Sequence, residues 1–529
     1  MRYPLACALL AASLPVITGC GDTSASGRTI VLVSLDSVRA DTLDFSGDFP
    51  HLAELARTST RFDQAIAASS WTLPTHATMF TGAPPQLHGV EFDDLAIDPA
   101  WPTLPAMLKD EGWSTYGWYT GWYTAGDFGF ARGFDLYQNA MTGGREIEAQ
   151  LRKHLERGEL DLAQQVLSGR EVMGHRDITS PNVMRGVETV LEASRDGEDV
   201  FLFTHLFDPH YDYIPPAPYD TAFDPDYTGP IDGRDFYQDR AIFDPSKSPA
   251  RQISDRDLQH IEALYRGELA YVDEQLGRLF AALEASGRLE NALIVVTADH
   301  GEEFFEHGGR GHRHTLFDEV LHVPLLVRDP RHPAPEIVTT QVGQTDLMPT
   351  ILGFAGVPVP ASVTGQDLAP ALRGEALVER PVLSSLMQHN SQFGYQFVES
   401  WRTSNSKLTR TMTMPTYGEL RLVDWQHYDL STDPGELASS RTVGQDPRHL
   451  AEWRGLTDRL ASLRATWAEL PRSPKEERAT QLRVVIQGEL GALGYLGDPS
   501  EAAEDQSGDS PGLALPWPPG PRPALVPPE

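Results

Sequence analysis

Four separated runs of apolar, mostly β-branched or aromatic residues constrain the fold of this chain more than any other feature. They read TIVLVSL at 29–35, DVFLFTHL at 199–206, ALIVVT at 292–297 and VPLLV at 323–327. Runs without polar alternation are typical of strands buried on both faces. Helical patterns lie between them, at 50–58, 101–111, 182–195 and 258–286. This alternation predicts an α/β fold with a large, mainly parallel sheet flanked by helices.

The rest of the chain divides by composition. Residues 29–375 form the predicted main domain. Residues 376–497 form a smaller C-terminal α+β subdomain, with candidate strands at 382–386, 397–401 and 419–423 and a long charged helix from about 448 to 470. Residues 498–529 are acidic and then rich in proline, which predicts a disordered tail. Residues 1–20 have the pattern of a signal peptide, and 21–28 that of a flexible tether.

The N-terminal segment predicts export and lipid attachment. Arg2 precedes an apolar run at 5–17 that is too short to span a membrane as a mature helix. The run ends in Ile17-Thr18-Gly19-Cys20, which resembles the bacterial lipobox. We therefore expect a lipoprotein of the bacterial cell envelope, in the periplasm or at the cell surface, whose only membrane attachment is a lipid at Cys20. The alternative is an ordinary signal peptide in which Cys20 is incidental.

Charge and cysteine content argue against several kinds of partner and site. Lys plus Arg number 43 against 75 Asp plus Glu, a formal net charge of -32, which argues against nucleic acid as a partner. The two cysteines, Cys7 and Cys20, both lie in the N-terminal segment. The remainder of the chain therefore offers no thiol nucleophile and no thiolate metal ligand.

Polar residues follow the predicted strands at their carboxyl ends, where active sites of open α/β sheets gather. Asp36 follows the first run, His205 to His210 end the second, and Asp299 and His300 follow the third. Two carboxylates and an imidazole suit one divalent ion, Ca, Mn, Mg or Zn, and nothing in the sequence selects among them. For a single Asp after a strand the alternative is a helix N-cap.

A hydroxyl-rich segment supplies a candidate nucleophile. It reads SSWTLPTHATMFTG at 69–82, and Thr72 stands where a helix is expected to begin. A hydroxyl at a helix N-terminus lies at the positive end of the helix dipole, which stabilises an alkoxide and the anionic group that it attacks. The alternative is a structural Thr N-cap without a catalytic role.

The ordered set of these motifs resembles the sulfatase family of the alkaline phosphatase superfamily, over roughly residues 28 to 497. The segments that carry the resemblance are Asp36, Thr72-x-Pro74-x-His76, Phe207-Asp208-Pro209-His210, Asp299-His300-Gly301-Glu302 and Gly311-His312, with GFARGFD at 129–135, AYVD at 270–273, DLMPT at 346–350 and YDLSTDP at 428–434.

The resemblance implies an alkaline-phosphatase-like sandwich and assigns roles by position. Asp36, Thr72, Asp299 and His300 would hold one divalent metal, with Thr72 also the nucleophile. His210 would donate to the substrate or leaving group. His312, or His314 nearby, falls where many members place a lysine that holds the sulfate or phosphate. His76 falls where the family has an arginine of the catalytic motif.

Two departures from the family pattern bear on the chemistry. The family motif begins with Cys or Ser and ends in Arg, whereas this chain has Thr72 and His76, so formylglycine is not expected. The aspartate pair that commonly opens the family is Asp36-Ser37 here, which makes the site less suited to calcium. Both changes move the site toward the phosphoryl-transfer branch of the superfamily, in which an unmodified Thr attacks phosphorus.

The sequence therefore predicts a metal-dependent hydrolase of sulfate or of phosphate and phosphonate esters, acting on a small-molecule or glycan ester. The mechanism favours phosphorus, because a sulfate ester of Thr72 lacks the geminal hydroxyl by which formylglycine expels sulfate. Two alternatives stay open at this stage: a catalytically inactive binding protein with the same fold, and a phosphoryl-group transferase acting on envelope glycans or lipids. The sequence does not indicate the oligomeric state.

Overall fold

The computed structural model describes residues 27–469, except 44, 46, 93, 94, 142–177, 235, 238, 334, 391–393, 415–420 and 441–446. The predicted signal peptide at 1–20, the lipidation site Cys20, most of the tether, residues 470–497 and the tail at 498–529 lie outside the described residues. No described helix is both long enough and apolar enough to cross a bilayer.

The strands of the described chain fall into one large sheet and three smaller ones. They are β1 (Thr29–Leu35), β2 (Thr60–Phe62), β3 (Ala65–Ile66), β4 (Ser114–Tyr119), β5 (Leu136–Asn139), β6 (Val200–Leu206), β7 (Ala292–Ala298), β8 (Glu303–Phe304), β9 (Arg310–Gly311), β10 (His322–Val323), β11 (Leu325–Arg328), β12 (Glu336–Val338), β13 (Val342–Gly343), β14 (Val382–Asn390), β15 (Gly394–Arg402), β16 (Ser406–Met414) and β17 (Arg421–Asp429).

The large sheet has eight strands in the order β12-β2-β11-β7-β1-β6-β4-β5. β1 runs parallel to both β6 and β7, and β4 runs parallel to β6 and β5, whereas β11 is antiparallel to β7 and to β2. Every residue of β1, β6 and β7 is buried, as their unbroken apolar sequences predict. The predicted mainly parallel sheet is therefore present.

Helices pack against the large sheet and against the C-terminal sheet. They are α1 (Pro50–Ala56), α2 (Thr72–Thr81), α3 (Pro85–His88), α4 (Leu104–Asp110), α5 (Ser180–Ala193), α6 (Asp255–Ala285), α7 (Asp318–Leu321), α8 (Leu347–Ala355), α9 (Ala369–Leu372) and α10 (Pro447–Glu469). The long helix α6 begins with a capping box, in which Ser254 accepts from the Asp257 amide and the Asp257 side chain bonds back to Ser254.

A four-stranded antiparallel sheet, β14-β15-β16-β17, and helix α10 form the smaller C-terminal unit. It is joined to the main domain by a buried ion-pair network. Arg402 and Lys407 both reach Asp318, and Lys407 also contacts Glu436 at 2.9 Å. The three predicted strands of this unit overlap β14, β15 and β17, while β16 was not predicted.

The register of the central strands sets where the site forms. Leu35, the last residue of β1, pairs with Leu206 of β6 and with Ala298 of β7. The Asp36 amide donates to the Leu206 carbonyl at 3.0 Å, and the Asp299 amide donates to the Leu35 carbonyl at 3.2 Å. The segments that leave these three strands therefore start side by side at one edge of the sheet.

Candidate active site

Two carboxylates and one imidazole meet at this edge, with one ligand atom from each within 4.8 Å of the others. They belong to Asp36, Asp299 and His300, all fully buried. His300 Nε2 lies 3.4 Å from Asp299 Oδ2 and 3.8 Å from Asp36 Oδ1. The other ring nitrogen of His300 donates to the Gly301 carbonyl at 2.9 Å, so the Nε2 lone pair faces the carboxylates.

Thr72 is the first residue of helix α2 and lies against this cluster. Its Oγ1 is 3.4 Å from His300 Nε2. The preceding residue, Trp71, is extended and makes no side-chain cap, so no side chain of the N-cap competes for the free amides of the first turn. Helix α2 therefore presents the positive end of its dipole beside the Thr72 hydroxyl. Thr72 keeps 6% of its surface exposed, whereas the cluster behind it has none.

The electrostatics of the cluster call for a cation. Burial raises the pKa of Asp36 to about 6, against the opposing effects of His300 and of hydrogen bonds from Ser37 and Thr72. Burial and the neighbouring charge of Asp36 also raise the pKa of Asp299. Asp299 Oδ1 accepts from the amides of Ser37 and His300, but Oδ2 is buried without a hydrogen-bond partner.

These donors fit one divalent ion. Divalent ions in proteins bind carboxylate oxygens, hydroxyls and imidazole nitrogens. A metal-binding imidazole usually has its second nitrogen fixed by a carbonyl, as His300 does. An ion would satisfy the orphaned Asp299 oxygen and offset the repulsion between the two carboxylates. Ser37 occupies the position of the second aspartate of the family pattern, and its hydroxyl donates to Asp36 Oδ1 at 2.8 Å instead of adding a carboxylate.

Two further imidazoles lie at the mouth of the site. His210 and His312 have ring centroids 4.9 Å apart, and His312 is 4.4 Å from the ring of His300. His210 Nδ1 donates to the Tyr211 carbonyl at 2.7 Å, which fixes the orientation of its ring. Both retain 5–6% exposure.

A buried glutamate supports His312. Glu302 Oε1 lies 3.0 Å from His312 Nδ1, and Glu302 Oε2 accepts a hydrogen bond from the Tyr213 hydroxyl at 2.8 Å. Burial raises the pKa of Glu302 well above its usual value, and burial together with His300 and His210 holds the pKa of His312 well below its usual value. The contact with Glu302 fixes the orientation of the His312 ring.

Two more imidazoles, those of His76 and His205, contact the carboxylates of the cluster and not the His210–His312 pair. His76 Nδ1 donates to the Thr72 carbonyl at 2.8 Å and lies 3.8 Å from Asp299 Oδ2. His205 Nε2 lies 3.1 Å from Asp36 Oδ2. Burial lowers the pKa of His76 to about 3 and that of His205 to about 4.

The structure thus brings together the predicted residues Asp36, Thr72, Asp299, His300, His76, His210 and His312. It also distinguishes between His312 and His314, the two candidates that follow Gly311. His314 turns away to Glu303, at 2.8 Å, so the imidazole beside His300 is that of His312.

Residues that were not predicted as site residues complete the site: His205, Glu302 and Tyr213. His205 carried a weak signal, because it is the one imidazole within an otherwise apolar strand sequence. Glu302 and Tyr213 carried none beyond their proximity to predicted residues.

Comparison with protein families gives two matches that together cover most of the described chain. The profile described as Sulfatase matches residues 28–357. The profile described as N-sulphoglucosamine sulphohydrolase, C-terminal, matches residues 306–466. The first covers more than half of the 529 residues, and the second includes the C-terminal sheet.

Individual relatives are distant. The chain is 29% identical to arylsulfatase K of Xenopus laevis over 209 residues, 39% of this chain and 38% of that protein. It is 24% identical to an ulvan-active sulfatase of Formosa agariphila over 360 residues, 65% of each chain. In both cases the chain spans less than two thirds of the relative's length.

Among solved structures, the phosphonate monoester hydrolase SpPMH from Silicibacter pomeroyi superposes with a TM-score of 0.61 at 23% identity. The match covers 83% of this chain and 96% of that one. At this identity the likeness is one of fold, and it confirms the predicted alkaline-phosphatase-like architecture.

Proposed function

Because the chain belongs to the sulfatase family, we propose that it is a metal-dependent hydrolase of phosphate or phosphonate esters, with Thr72 as its nucleophile. Its sequence relatives include proteins named as sulfatases, and the solved structures of the same fold include one named as a phosphonate monoester hydrolase. The fold thus occurs in proteins named for sulfur esters and in one named for phosphorus esters, and the choice between them rests on the residues of this chain.

The observation that carries the proposal is the position of the Thr72 hydroxyl. It lies at the N-terminus of α2, 3.4 Å from His300 Nε2, beside two buried carboxylates, one with an orphaned oxygen. A structural N-cap would have its hydroxyl bonded to an amide of the first turn, but Thr72 is the first helical residue and α2 has no side-chain cap bond.

Asp36, Asp299, His300 and Thr72 would hold the divalent ion. When bound, such an ion lowers the pKa of the hydroxyl and neutralises the charge of the anionic substrate. The free amides of the first turn of α2 contribute positive potential at the same point. Glu302 and Tyr213 hold His312 in place, and the Tyr211 carbonyl holds His210, so that both imidazoles can contact the ester oxygens.

In the proposed reaction, Thr72 Oγ1 forms a bond to phosphorus while the bond from phosphorus to the leaving oxygen breaks. His210, in its protonated form and held by the Tyr211 carbonyl, gives a proton from Nε2 to the leaving oxygen, and the proton released by the Thr72 hydroxyl replaces it. Water then attacks the phosphorus of the Thr72 ester, takes the phosphoryl group, and returns the hydroxyl of Thr72 with its proton. Each of the two steps, attack by Thr72 and attack by water, is one displacement at phosphorus.

Phosphorus is favoured because position 72 is a threonine. Its Cβ carries a methyl group, so it cannot be the precursor of formylglycine, and the only cysteines are Cys7 and Cys20. A sulfate ester on Thr72 would have no geminal hydroxyl with which to eliminate sulfate, whereas a phosphate ester is hydrolysed by direct attack of water at phosphorus.

The cell envelope is the proposed place of action. The apolar segment at 5–17 followed by Cys20 supports export and a lipid anchor, and the net charge of -32 suits a soluble domain outside the cytoplasm. The substrate class we propose is a small-molecule or glycan ester, since the family relatives include an ulvan-active sulfatase.

The test is an ester panel with matched variants. The purified protein, Thr72→Ala and Thr81→Ala are assayed with divalent metals on p-nitrophenyl sulfate, p-nitrophenyl phosphate, bis-p-nitrophenyl phosphate and a phenylphosphonate monoester. Thr81 is the control, because it is a buried threonine of the same helix whose hydroxyl bonds only the Ala77 carbonyl, at 2.7 Å.

We expect turnover of a phosphorus ester that disappears in Thr72→Ala and persists in Thr81→Ala. Dominant sulfate hydrolysis would contradict the choice of phosphorus. Absence of turnover together with absence of bound metal would favour a binding protein, and transfer of the phosphoryl group to an added alcohol in preference to water would favour a transferase.

A further inference from the structure

We propose that the site holds a second divalent cation, a transition metal such as Zn²⁺ or Mn²⁺, bound by His76 and His205 and sharing the Asp36 and Asp299 carboxylates. This inference rests on the proposed function only in that the shared carboxylates belong to the first ion's site. His76, His205 and Asp299 each bring one ligand atom within 4.8 Å of the others.

The protons of the two histidines are already assigned by the backbone. His76 Nδ1 donates to the Thr72 carbonyl at 2.8 Å, and His205 Nδ1 donates to the Thr120 carbonyl. A neutral imidazole has one ring proton, so Nε2 of each ring carries a lone pair. A carbonyl on one nitrogen with a lone pair on the other is the arrangement typical of metal-binding histidines.

Among the described residues, neither lone pair faces an N–H or O–H donor when Asp36 is ionised. His76 Nε2 is buried and makes no hydrogen bond, in a ring that is fully shielded from solvent. His205 Nε2 faces Asp36 Oδ2 at 3.1 Å. Two acceptors at this distance repel each other unless a proton or a cation lies between them.

One oxygen of each carboxylate faces the second group, and Asp299 Oδ2 would be shared between the two ions. Asp299 Oδ2 is buried without a hydrogen-bond partner and belongs to both ligand groups. Asp36 Oδ1 accepts from Ser37, and Oδ2 is the oxygen that faces His205. Ligands about 2.1 Å from one ion lie roughly 3 to 4.2 Å apart, and the 3.1 Å between His205 and Asp36 fits this spacing.

The fold holds this second group rigidly. His205 is the penultimate residue of β6, and His76 is on the second turn of α2, with ring centroids 4.8 Å apart. Phe203 and Phe130 pack edge-on against His76, at 6.0 and 6.3 Å between centroids. Imidazole nitrogens favour Zn²⁺ and related ions over Ca²⁺ and Mg²⁺, which determines the class of cation proposed.

Metal stoichiometry tests the inference without using activity. The purified full-length protein is stripped with a chelator, equilibrated with Zn²⁺ or Mn²⁺, freed of unbound metal, and analysed by elemental mass spectrometry. The Mn²⁺ form is also examined by electron paramagnetic resonance, in which two ions that share carboxylates give an exchange-coupled spectrum. His205→Gln and His76→Gln are compared with His88→Gln.

His88 is the matched control because it is also a buried histidine next to α2, but it bonds Thr78 and the Val90 amide and belongs to neither ligand group. We expect two ions per chain with a coupled Mn²⁺ spectrum, one ion in His205→Gln and His76→Gln, and two in His88→Gln.

One ion per chain in the unaltered protein, with an uncoupled Mn²⁺ spectrum, would overturn the inference, and this result needs no variant to fold. Two ions that persist in His205→Gln would also overturn it. Either result leaves the proposed function standing if the ester panel still depends on Thr72, so the two failures are distinguishable.

Discussion

The metal-free protein should be stabilised when Asp36, a proposed metal ligand, is replaced by asparagine. Asp36 is fully buried, and burial raises its pKa from 3.8 to about 6. A carboxyl whose pKa is raised by folding stabilises the folded state below pH 3.8, and this contribution is lost as the pH rises through the folded pKa. At neutral pH the ionised Asp36 is therefore a cost in the absence of metal.

The magnitude follows from the two pKa values. With 3.8 in the unfolded chain and about 6 in the folded one, ionisation of Asp36 lowers the free energy of unfolding by about 1.6 kcal/mol at pH 5 and about 3 kcal/mol at pH 7.5. Asp36→Asn removes this cost, which corresponds to a rise in Tm of about 4 °C at pH 7.5 for a domain of this size. The gain should be about half as large at pH 5.

The assay is thermal unfolding in chelator and in excess metal, at both pH values. At a metal concentration of 100 times Kd, the free energy of unfolding of the unaltered protein should rise by about 2.7 kcal/mol. That of Asp36→Asn should rise little. Asp346→Asn is the control, because burial also raises the pKa of Asp346 to about 6 while its partners are the Gly343 and Gln366 amides. Its response to metal should match that of the unaltered protein. A destabilised Asp36→Asn in chelator, or a full metal response in that variant, would contradict this prediction.

Two more predictions concern residues around the site and between the domains. Glu302→Gln should lower kcat roughly 10–100-fold with KM little changed, because an amide has one oxygen and cannot accept from both the Tyr213 hydroxyl and His312 Nδ1. Steady-state kinetics with a fold check by circular dichroism would measure it, and an unchanged kcat would contradict it. Lys407→Met should lower the free energy of unfolding by about 3–5 kcal/mol, because it leaves Glu436 buried without its cation and Asp318 with Arg402 alone. Urea unfolding would measure it, and Lys247→Met, which removes an exposed lysine from its pair with Asp244, should change little.

The sequence was most informative where burial is complete. The runs that became β1, β6 and β7 are apolar throughout because both faces of the sheet are covered, and β1 has the bounds that were predicted. β16 was missed because its sequence, SKLTRTMTM, contains Lys407 and Arg410. Both are fully buried, and their partners come from β15, α7 and the segment after β17, which the local sequence does not reveal.

β4 was missed for a related reason, since Gly117 interrupts its apolar pattern. A Cβ at this position would lie 2.6 Å from the Tyr137 ring, so the glycine makes room for a neighbouring strand. Its use is visible only once β5 is paired with β4.

Part of the site could be predicted in the same way, because Asp36, Asp299 and His300 each follow a recognisable strand. His205 was named only as the first of the polar residues that end the second run and was given no role, since a histidine inside an apolar strand is most often a core residue. Only the register that aligns Leu35 with Leu206 brings it beside Asp36. The choice between His312 and His314 was equally open, and Arg313, with a φ of 70°, lies in the left-handed region between them.

Trapping of the covalent intermediate would show whether Thr72 is the nucleophile. The protein is mixed with the best phosphorus ester of the panel, quenched in acid throughout the first turnover, and digested for mass spectrometry of the peptide that contains Thr72. We expect a phosphoryl or phosphonyl group on Thr72 that forms as p-nitrophenol is released and is absent from Thr72→Ala. Turnover without any such group on Thr72, or with the group on another residue, would contradict it.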